Sequence, residues 1–300
     1  MNKINYTIII PHKNTPELLQ KCLNSIPIRE DLQVIVVDDN SDTDKVNFLH
    51  FPRWKGKNYE YYLTKEGKGA GYARNIGITH ALGEWLIFSD ADDVFFTATL
   101  NTLLDLPKQE YDIIYWPILV TNYDGKDEIL YLSTFGKQNQ FDMSLLGKNR
   151  IEKNYIKDVE ARVFLPTQKM IKRDIIKKNK IKFSEVPSCN DILFSVKAQS
   201  KCTNAGVFSD IIYHYIKRTG TTSDVINIKR LKQRTRELLK VQNFLLHFNK
   251  HQYIEYTLKW HFDILREHTI SSAILYGFLQ MFMVSPRMGY STIKRILLTE

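Results

Sequence analysis

The chain has 300 residues, 43% of them hydrophobic, which excludes a disordered chain and suffices for one large domain or a main domain with an appendage. Its three cysteines, Cys22, Cys189 and Cys202, are odd in number and form no C-x-x-C pair, so they suggest neither a disulfide framework nor a thiolate zinc site and fit a reducing compartment. The formal charge of +9 is unevenly placed, because residues 217–300 hold 14 Lys and Arg against 6 Asp and Glu.

Residues 1–14 run straight into an apolar segment without the apolar stretch and cleavage site of a signal peptide, which predicts a cytoplasmic protein. Residues 6–11 (YTIIIP) are an apolar, β-branched run ended by Pro11, the pattern of a strand buried on both faces. Thr15 and Pro16 then offer a helix start, with Leu18, Leu19, Cys22, Leu23 and Ile26 at helical spacing. Residues 32–37 (LQVIVV) form a second buried strand that stops at the turn-forming Asp38-Asp39-Asn40-Ser41. A third strand over 59–64, a helix over 73–82 and a fourth strand over 85–89 follow, the last ending in Asp90-Ala91-Asp92-Asp93. This alternation predicts an α/β fold, a mostly parallel Rossmann-like sheet flanked by helices.

Residues 111–121 read as one further strand, and 124–160 are polar and less periodic. From about 228 no strand signal remains, and the amphipathic pattern predicts a C-terminal α-helical region. The domain reading is therefore 1–225 for the main domain, with halves 1–100 and 101–225, and 226–300 for the helical region. The longest apolar run, 273–284, is interrupted by Gln280 and falls short of the ~20 residues that span a bilayer. With Phe278, Met281, Phe282 and Met283 near Arg287, Lys294 and Arg295, the tail reads either as an interfacial helix touching the inner membrane face or as a helix packed on the main domain or a second copy.

Ligands of open α/β sheets bind beyond the carboxyl ends of the strands, and two of those ends carry clustered acids. Asp38, Asp39, Asp90, Asp92 and Asp93 on one sheet edge would repel one another unless a cation or hydrogen-bond donors offset them. Oxygen ligands of this kind suit Mn2+ or Mg2+, which combine a few carboxylates with substrate phosphate oxygens. Residues 67–75 (GKGAGYARN) form a glycine-rich loop opening a helix, whose N–H groups suit a pyrophosphate, and Arg74 there either clamps a phosphate or pairs with an aspartate. The loop is not G-x-G-x-x-G and follows the third strand, which excludes a dinucleotide site.

Taken together, TIIIPHKN, VIVVDDNSDTD and GAGYARNIGITHALGEWLIFSDADD resemble the family-2 glycosyltransferases of the GT-A fold, in order and strand context, over residues 5–100. The resemblance implies that Asp38 or Asp39, with Asp39 preferred, binds a uracil ring, and that Asp90-Ala91-Asp92 is the metal-binding Asp-x-Asp element, with Asp93 and His214 as further ligand candidates. It implies donor contacts at Pro11, Gly71, Arg74, Asn75, Asp90, Ala91, Lys217 and Arg218. Family members carry an acidic pair, usually Glu-Asp, where this chain has Asn190-Asp191, so Asp191 is the implied general base. Residues 213–222 (YHYIKRTGTT) are similar to the family's closing segment over the diphosphate.

The expected activity is transfer of a sugar from a UDP-sugar to a hydroxyl on a saccharide or lipid-linked saccharide in surface polysaccharide synthesis. Inversion at the sugar is implied by the likeness alone, and nucleic acid is not expected as a partner. Two rivals are an inactive GT-A scaffold module, disfavoured by the intact aspartate sets, and a sugar-nucleotide pyrophosphorylase, disfavoured because Pro11-His12-Lys13-Asn14 stands where such enzymes place their glycine-rich loop.

Overall fold

The structure, a computed structural model, describes residues 3–130, 151–152, 164–219 and 228–247. In chain order it shows β1 (Tyr6–His12), α1 (Pro16–Asn24), β2 (Leu32–Asp38), β3 (Asn58–Leu63), α2 (Ala70–His80), β4 (Trp85–Phe88), β5 (Val94–Phe95) and α3 (Thr97–Asp105). Then come β6 (Ile113–Tyr115), β7 (Ile118–Thr121), β8 (Asp127–Leu130), β9 (Ile151–Glu152), β10 (Lys169–Lys172), α4 (Arg173–Lys178), α5 (Ile192–Gln199), β11 (Ala205–Phe208), β12 (Tyr213–Ile216) and α6 (Ile228–His247). The chain divides into two compact units, Met1–Thr219 and Gly220–Glu300.

Within the first unit the main sheet runs in the order β3-β2-β1-β4-β10-β6-β11-β9. The first four strands are parallel, and β10 enters antiparallel between β4 and β6. Period-two alternation divides each strand between two cores. Ile8 and Ile10 of β1 join Leu19, Cys22 and Leu23 of α1 and Leu100 and Leu103 of α3 on one face. Ile9 joins Ala73 and Ile78 of α2 and Phe194 and Ala198 of α5 on the other. The result is a sheet covered on both sides, which is why β1, β2 and β4 are buried throughout and mostly apolar. Gly77 lets α2 lie on β1, since a Cβ there would come within 2.4 Å of Ile9 Cγ2.

The reading of 111–121 as one strand is corrected. It is two strands in different sheets: β6 pairs β10 and β11, whereas β7 belongs to a second sheet in the order β5-β12-β7-β8. Trp116-Pro117 makes the break: Trp116 still donates its backbone N–H to Gln168 O and its indole N–H to Thr167 O, whereas Pro117 has no N–H with which to continue a ladder. The second sheet bears directly on the acidic turns, since β5 leaves the Asp90–Asp93 turn at once and pairs with β12.

In the second unit, α6 places Leu238, Val241 and Leu245 on one buried stripe. No helix among the described residues is long and apolar enough to cross a membrane. The tail segment 273–295, and Gly220, Thr221 and Thr222 of the closing segment, lie outside the described residues.

Candidate active site

The two acidic turns leave the same edge of the sheet. β2 and β4 flank β1 in parallel register, with Ile9 opposite both Ile35 and Phe88, so the turns emerge two strand spacings apart, about 10 Å. Backbone bonds hold each to β1, from Asp39 N to His12 O at 2.8 Å and from Ser89 N to Ile9 O at 3.1 Å.

Asp38 and Asp39 differ sharply. Asp38 accepts from Ser41 N at 2.8 Å and Ser41 Oγ at 2.6 Å, and lies 2.7 Å from His12 Nδ1. Burial pushes its pKa up, but these partners outweigh burial and hold it below the ordinary carboxylate value. Asp39 accepts at Oδ2 from Gly69 N at 2.8 Å, while its buried Oδ1 has no partner. Burial raises its pKa, only partly offset by the Gly69 and Lys68 amides and by Lys13. A buried carboxylate oxygen aimed at nothing is costly, and a ligand N–H is the group it lacks.

Helix α2 joins the two turns. Gly69, at φ +95° in the region that glycine tolerates, presents its N–H to Asp39. About a turn and a half further on, Arg74 donates from Nη2 to Asp90 Oδ1 at 2.5 Å and from Nη1 to Asn190 Oδ1 at 2.9 Å. Its guanidinium lies over Phe183 at 5.3 Å, and its buried Nε has no partner. Arg74 thus ties the Asp90 turn to the loop that carries Asp191. The same loop is packed against the start of α2, where a Cβ on Gly71 would come within 2.1 Å of Ser184 O, and it is stapled by Asn75, which exchanges hydrogen bonds with the Phe183 backbone at 2.9 and 3.0 Å. Gly71 and Asn75 therefore serve the junction between α2 and this loop.

Asp191 stands at the start of α5 but makes no capping hydrogen bond. Burial pushes its carboxyl above the ordinary 3.8, with Arg74 and Lys169 pulling it back and Asp90 adding to the rise. Lys169, wholly buried on β10 with Nζ 2.9 Å from Leu165 O, is itself pushed down by burial to about 7, offset in part by Asp191. Nothing in the run TQKMIK marks that lysine, because its proximity to Asp191 depends on β10 entering the sheet antiparallel.

Asp90, Asp92 and Asp93 take different surroundings. The side chains of Asp90 and Asp92 are about a third exposed, and Asp92 Oδ2 pairs with Arg218 Nη1 at 3.0 Å. Burial and then Asp90 raise the pKa of Asp92, against the pull of Arg218. Ala91 between them is buried in the core. Asp93 is completely buried and takes Tyr213 OH at 2.9 Å and Ile216 N at 3.0 Å on its two oxygens, so the structure commits it to β12 rather than to an open ligand position. Burial, Asp90 and Asp92 push its pKa well up.

Among the described basic side chains of the closing segment, Arg218 alone reaches the acidic turn. Lys217 turns to Asn122 Oδ1 at 2.5 Å. His214 is placed away from the metal position that the resemblance implies, because strand alternation puts it on the face of β12 opposite Tyr213 and Tyr215. There its Nε2 lies 2.6 Å from Thr121 Oγ1 and its ring stacks on Phe96, and burial lowers its pKa. Pro11 is buried in β1 opposite Val37.

Among the described residues no group of three His, Cys, Asp or Glu converges on one point. Asp90 and Asp92 alone supply two partly exposed carboxylates, one with a raised pKa that nearby positive charge would relieve. That donor set fits a hard divalent cation completed by the phosphate oxygens of a substrate.

Residues 7–179 match the family described as glycosyl transferase family 2. The poly(ribitol-phosphate) beta-glucosyltransferase of Bacillus spizizenii is 27% identical over 238 residues, 71% of this chain and 32% of its own length. The poly(ribitol-phosphate) beta-N-acetylglucosaminyltransferase TarP of Staphylococcus aureus is 23% identical over 235 residues, 77% of this chain and 67% of TarP. This chain thus spans about a third of the Bacillus relative and two thirds of TarP. Among solved structures, S. aureus TarS 1-349 in complex with UDP-GlcNAc superposes with a TM-score of 0.73 at 20% identity, covering 93% of this chain and 80% of that one. That likeness establishes a shared fold.

Proposed function

The chain belongs to glycosyl transferase family 2, and from that premise we propose that it transfers a sugar from a UDP-sugar to a hydroxyl of a poly(ribitol-phosphate)-type or related saccharide polymer. The observation that carries this reading is the position of α2: one end meets Asp39 and its next turn meets Asp90 and Asn190. A base-binding carboxylate, a phosphate-side acidic turn and the neighbour of the candidate general base are thereby tied to one helix. The named activities of the Bacillus relative and of TarP, and the UDP-GlcNAc bound to TarS, support the choice of donor and acceptor class.

In this reading Asp39 Oδ1 accepts from the uracil imide N–H, the donor its buried oxygen lacks. Asp90 and Asp92 would hold Mn2+ or Mg2+, which supplies neutralisation of the charge that gathers on the leaving diphosphate. Arg218, already on Asp92, places a second positive charge beside that turn. Asp191 removes the proton from the acceptor hydroxyl as its oxygen attacks the anomeric carbon, the bond from that carbon to the diphosphate breaks, and UDP leaves. One displacement inverts the anomeric centre and needs no covalent intermediate. Burial suits Asp191 to the task, because a carboxylate with a raised pKa is a stronger base.

The test is release of UDP from UDP-sugars in the presence of Mn2+ and a ribitol-phosphate polymer. Release of pyrophosphate, or of nothing, would count for the rival readings. Excess EDTA should abolish turnover, and full activity in EDTA would remove the metal from the proposal. Asp191→Asn should lower kcat by about 10²–10⁴-fold with little change in donor KM. A matched loss of donor binding would take Asp191 out of the base role.

A further inference from the structure

Tyr213 lies outside the groups that the proposed reaction uses, yet it is completely buried under the acidic turn and its hydroxyl is the centre of a small network. It donates to Asp93 Oδ2 at 2.9 Å, accepts from the backbone N–H of Asp90 at 2.9 Å, and lies 3.4 Å from Ser89 Oγ. Three residues along the same strand, Ile216 N donates to the other oxygen of Asp93 at 3.0 Å. Phe95 of β5 packs edge-on against the Tyr213 ring at 5.1 Å, and β5 pairs with β12 at that point. Two residues beyond Ile216, Arg218 reaches Asp92. The turn Asp90-Ala91-Asp92 is therefore fixed from behind at both ends, at Asp90 through its amide and at Asp93 through its carboxylate, by a strand some 120 residues away in sequence.

From this network we infer that Tyr213 and Asp93 are a positioning pair, which sets the direction of the Asp90 and Asp92 carboxylates and holds the strand bearing Arg218 against them, while neither touches substrate. The inference deepens the proposed function and rests on it for its kinetic consequence, though not for its structural one. The pair forms because an extended β12 presents one tyrosine hydroxyl and one backbone N–H to the same side, and a single buried carboxylate accepts both. Asp93 thereby has a role that its place beside the Asp-x-Asp element disguises.

Two variants test it. Tyr213→Phe keeps the ring and removes the hydroxyl, so the Asp90 amide loses its acceptor. Hydrogen exchange of the 89–93 segment should quicken by about tenfold or more while exchange in β1 and β2 stays as in the wild type, since the segment then opens locally. The same variant should lose roughly ten- to hundredfold in kcat, because a small misplacement of reacting groups is costly, with donor KM within about threefold. Asp93→Asn retains an acceptor for Ile216 N but gives up the oxygen that takes the Tyr213 hydroxyl, so it should lose kcat in step with Tyr213→Phe, roughly ten- to hundredfold and less than Asp92→Asn, with donor KM again within about threefold. Unchanged exchange at 89–93 in Tyr213→Phe overturns the pair whether or not the protein transfers sugar, and is thus separable from failure of the functional reading. In an active protein, a Tyr213→Phe enzyme of normal kcat would also overturn it, as would a folded Asp93→Asn that either keeps normal kcat or is as inactive as Asp92→Asn. Should Tyr213→Phe fail to fold, the contrast between Asp93→Asn and Asp92→Asn still decides.

Discussion

The turn after β2 and the turn after β4 stand two strands apart on one sheet edge, and each divides its acids in the same way. At the first, Asp38 is saturated by His12 and Ser41 while Asp39 keeps a buried oxygen without a partner. At the second, Asp93 is saturated by Tyr213 and Ile216 while Asp90 and Asp92 stay partly exposed with an arginine each. The difference lies in order and in reach. The structural acid comes first in one turn and last in the other, and it is held by neighbours within 30 residues in the first but by a strand 120 residues away in the second. A run of adjacent aspartates is thus not a set of equivalent ligands; one member anchors the turn so that its neighbour can be left unsatisfied for a ligand.

The strongest way to break this comparison is Asp92→Asn. If Asp92 serves leaving-group charge, the variant should lose about 10²–10³-fold or more in kcat while melting cooperatively near the wild-type temperature, since its partner Arg218 is partly exposed and can be solvated. Near-normal turnover would mean that the exposed acids are no more functional than the buried one.

The next test separates Asp38 from Asp39. Asp38→Ala removes the acceptor of two hydrogen bonds and of the His12 contact in a buried place, and should cost about 1–3 kcal/mol of stability and several degrees of Tm. Asp39→Asn should leave Tm unchanged or higher and raise donor KM by roughly ten- to hundredfold, the worth of one hydrogen bond to a charged group. Interchanged outcomes, with Asp38→Ala weakening the donor and Asp39→Asn unfolding the chain, would reverse the assignment of the first turn.

This division is also where the sequence stops being legible. β1, β2 and β4 can be read directly because strands buried on both faces carry near-continuous apolar runs, and the resemblance over residues 5–100 covers both turns. The preference for Asp39 over Asp38 comes from the resemblance; the physical reason, His12 and Ser41 closing on Asp38, appears only once β1 and β2 are in register. The second sheet is hidden, because β5, β7, β8 and β12 have two to four residues each and β12 joins β5 and β7 over long separations. Without that sheet, His214 looks like a ligand and Asp93 like a spare one, and Tyr213 is one aromatic among sixteen tyrosines. Asn190 visibly departs from the usual glutamate, but nothing in the sequence says that its amide oxygen meets Arg74 from 116 residues away.

The finest distinction between the acids lies in the pH dependence of folding. Asp38 has a folded pKa below its ordinary 3.8, so between the two values the unfolded chain binds the extra proton. Its contribution to stability is complete above 3.8 and is lost as pH falls through the folded value. Asp39 has a folded pKa above 3.8, so the sign is opposite: the folded chain holds the extra proton, and stability falls as pH rises from 3.8 through the folded value. Urea midpoints measured from about pH 7 down to about pH 2.5 should therefore show the deficit of Asp38→Ala shrinking toward acid. Any gain of Asp39→Asn should be present at neutral pH and vanish toward acid, once the wild-type carboxyl is protonated in both states. Parallel curves for the two variants would mean that the turn treats its acids alike and that the unpartnered oxygen of Asp39 carries no special cost.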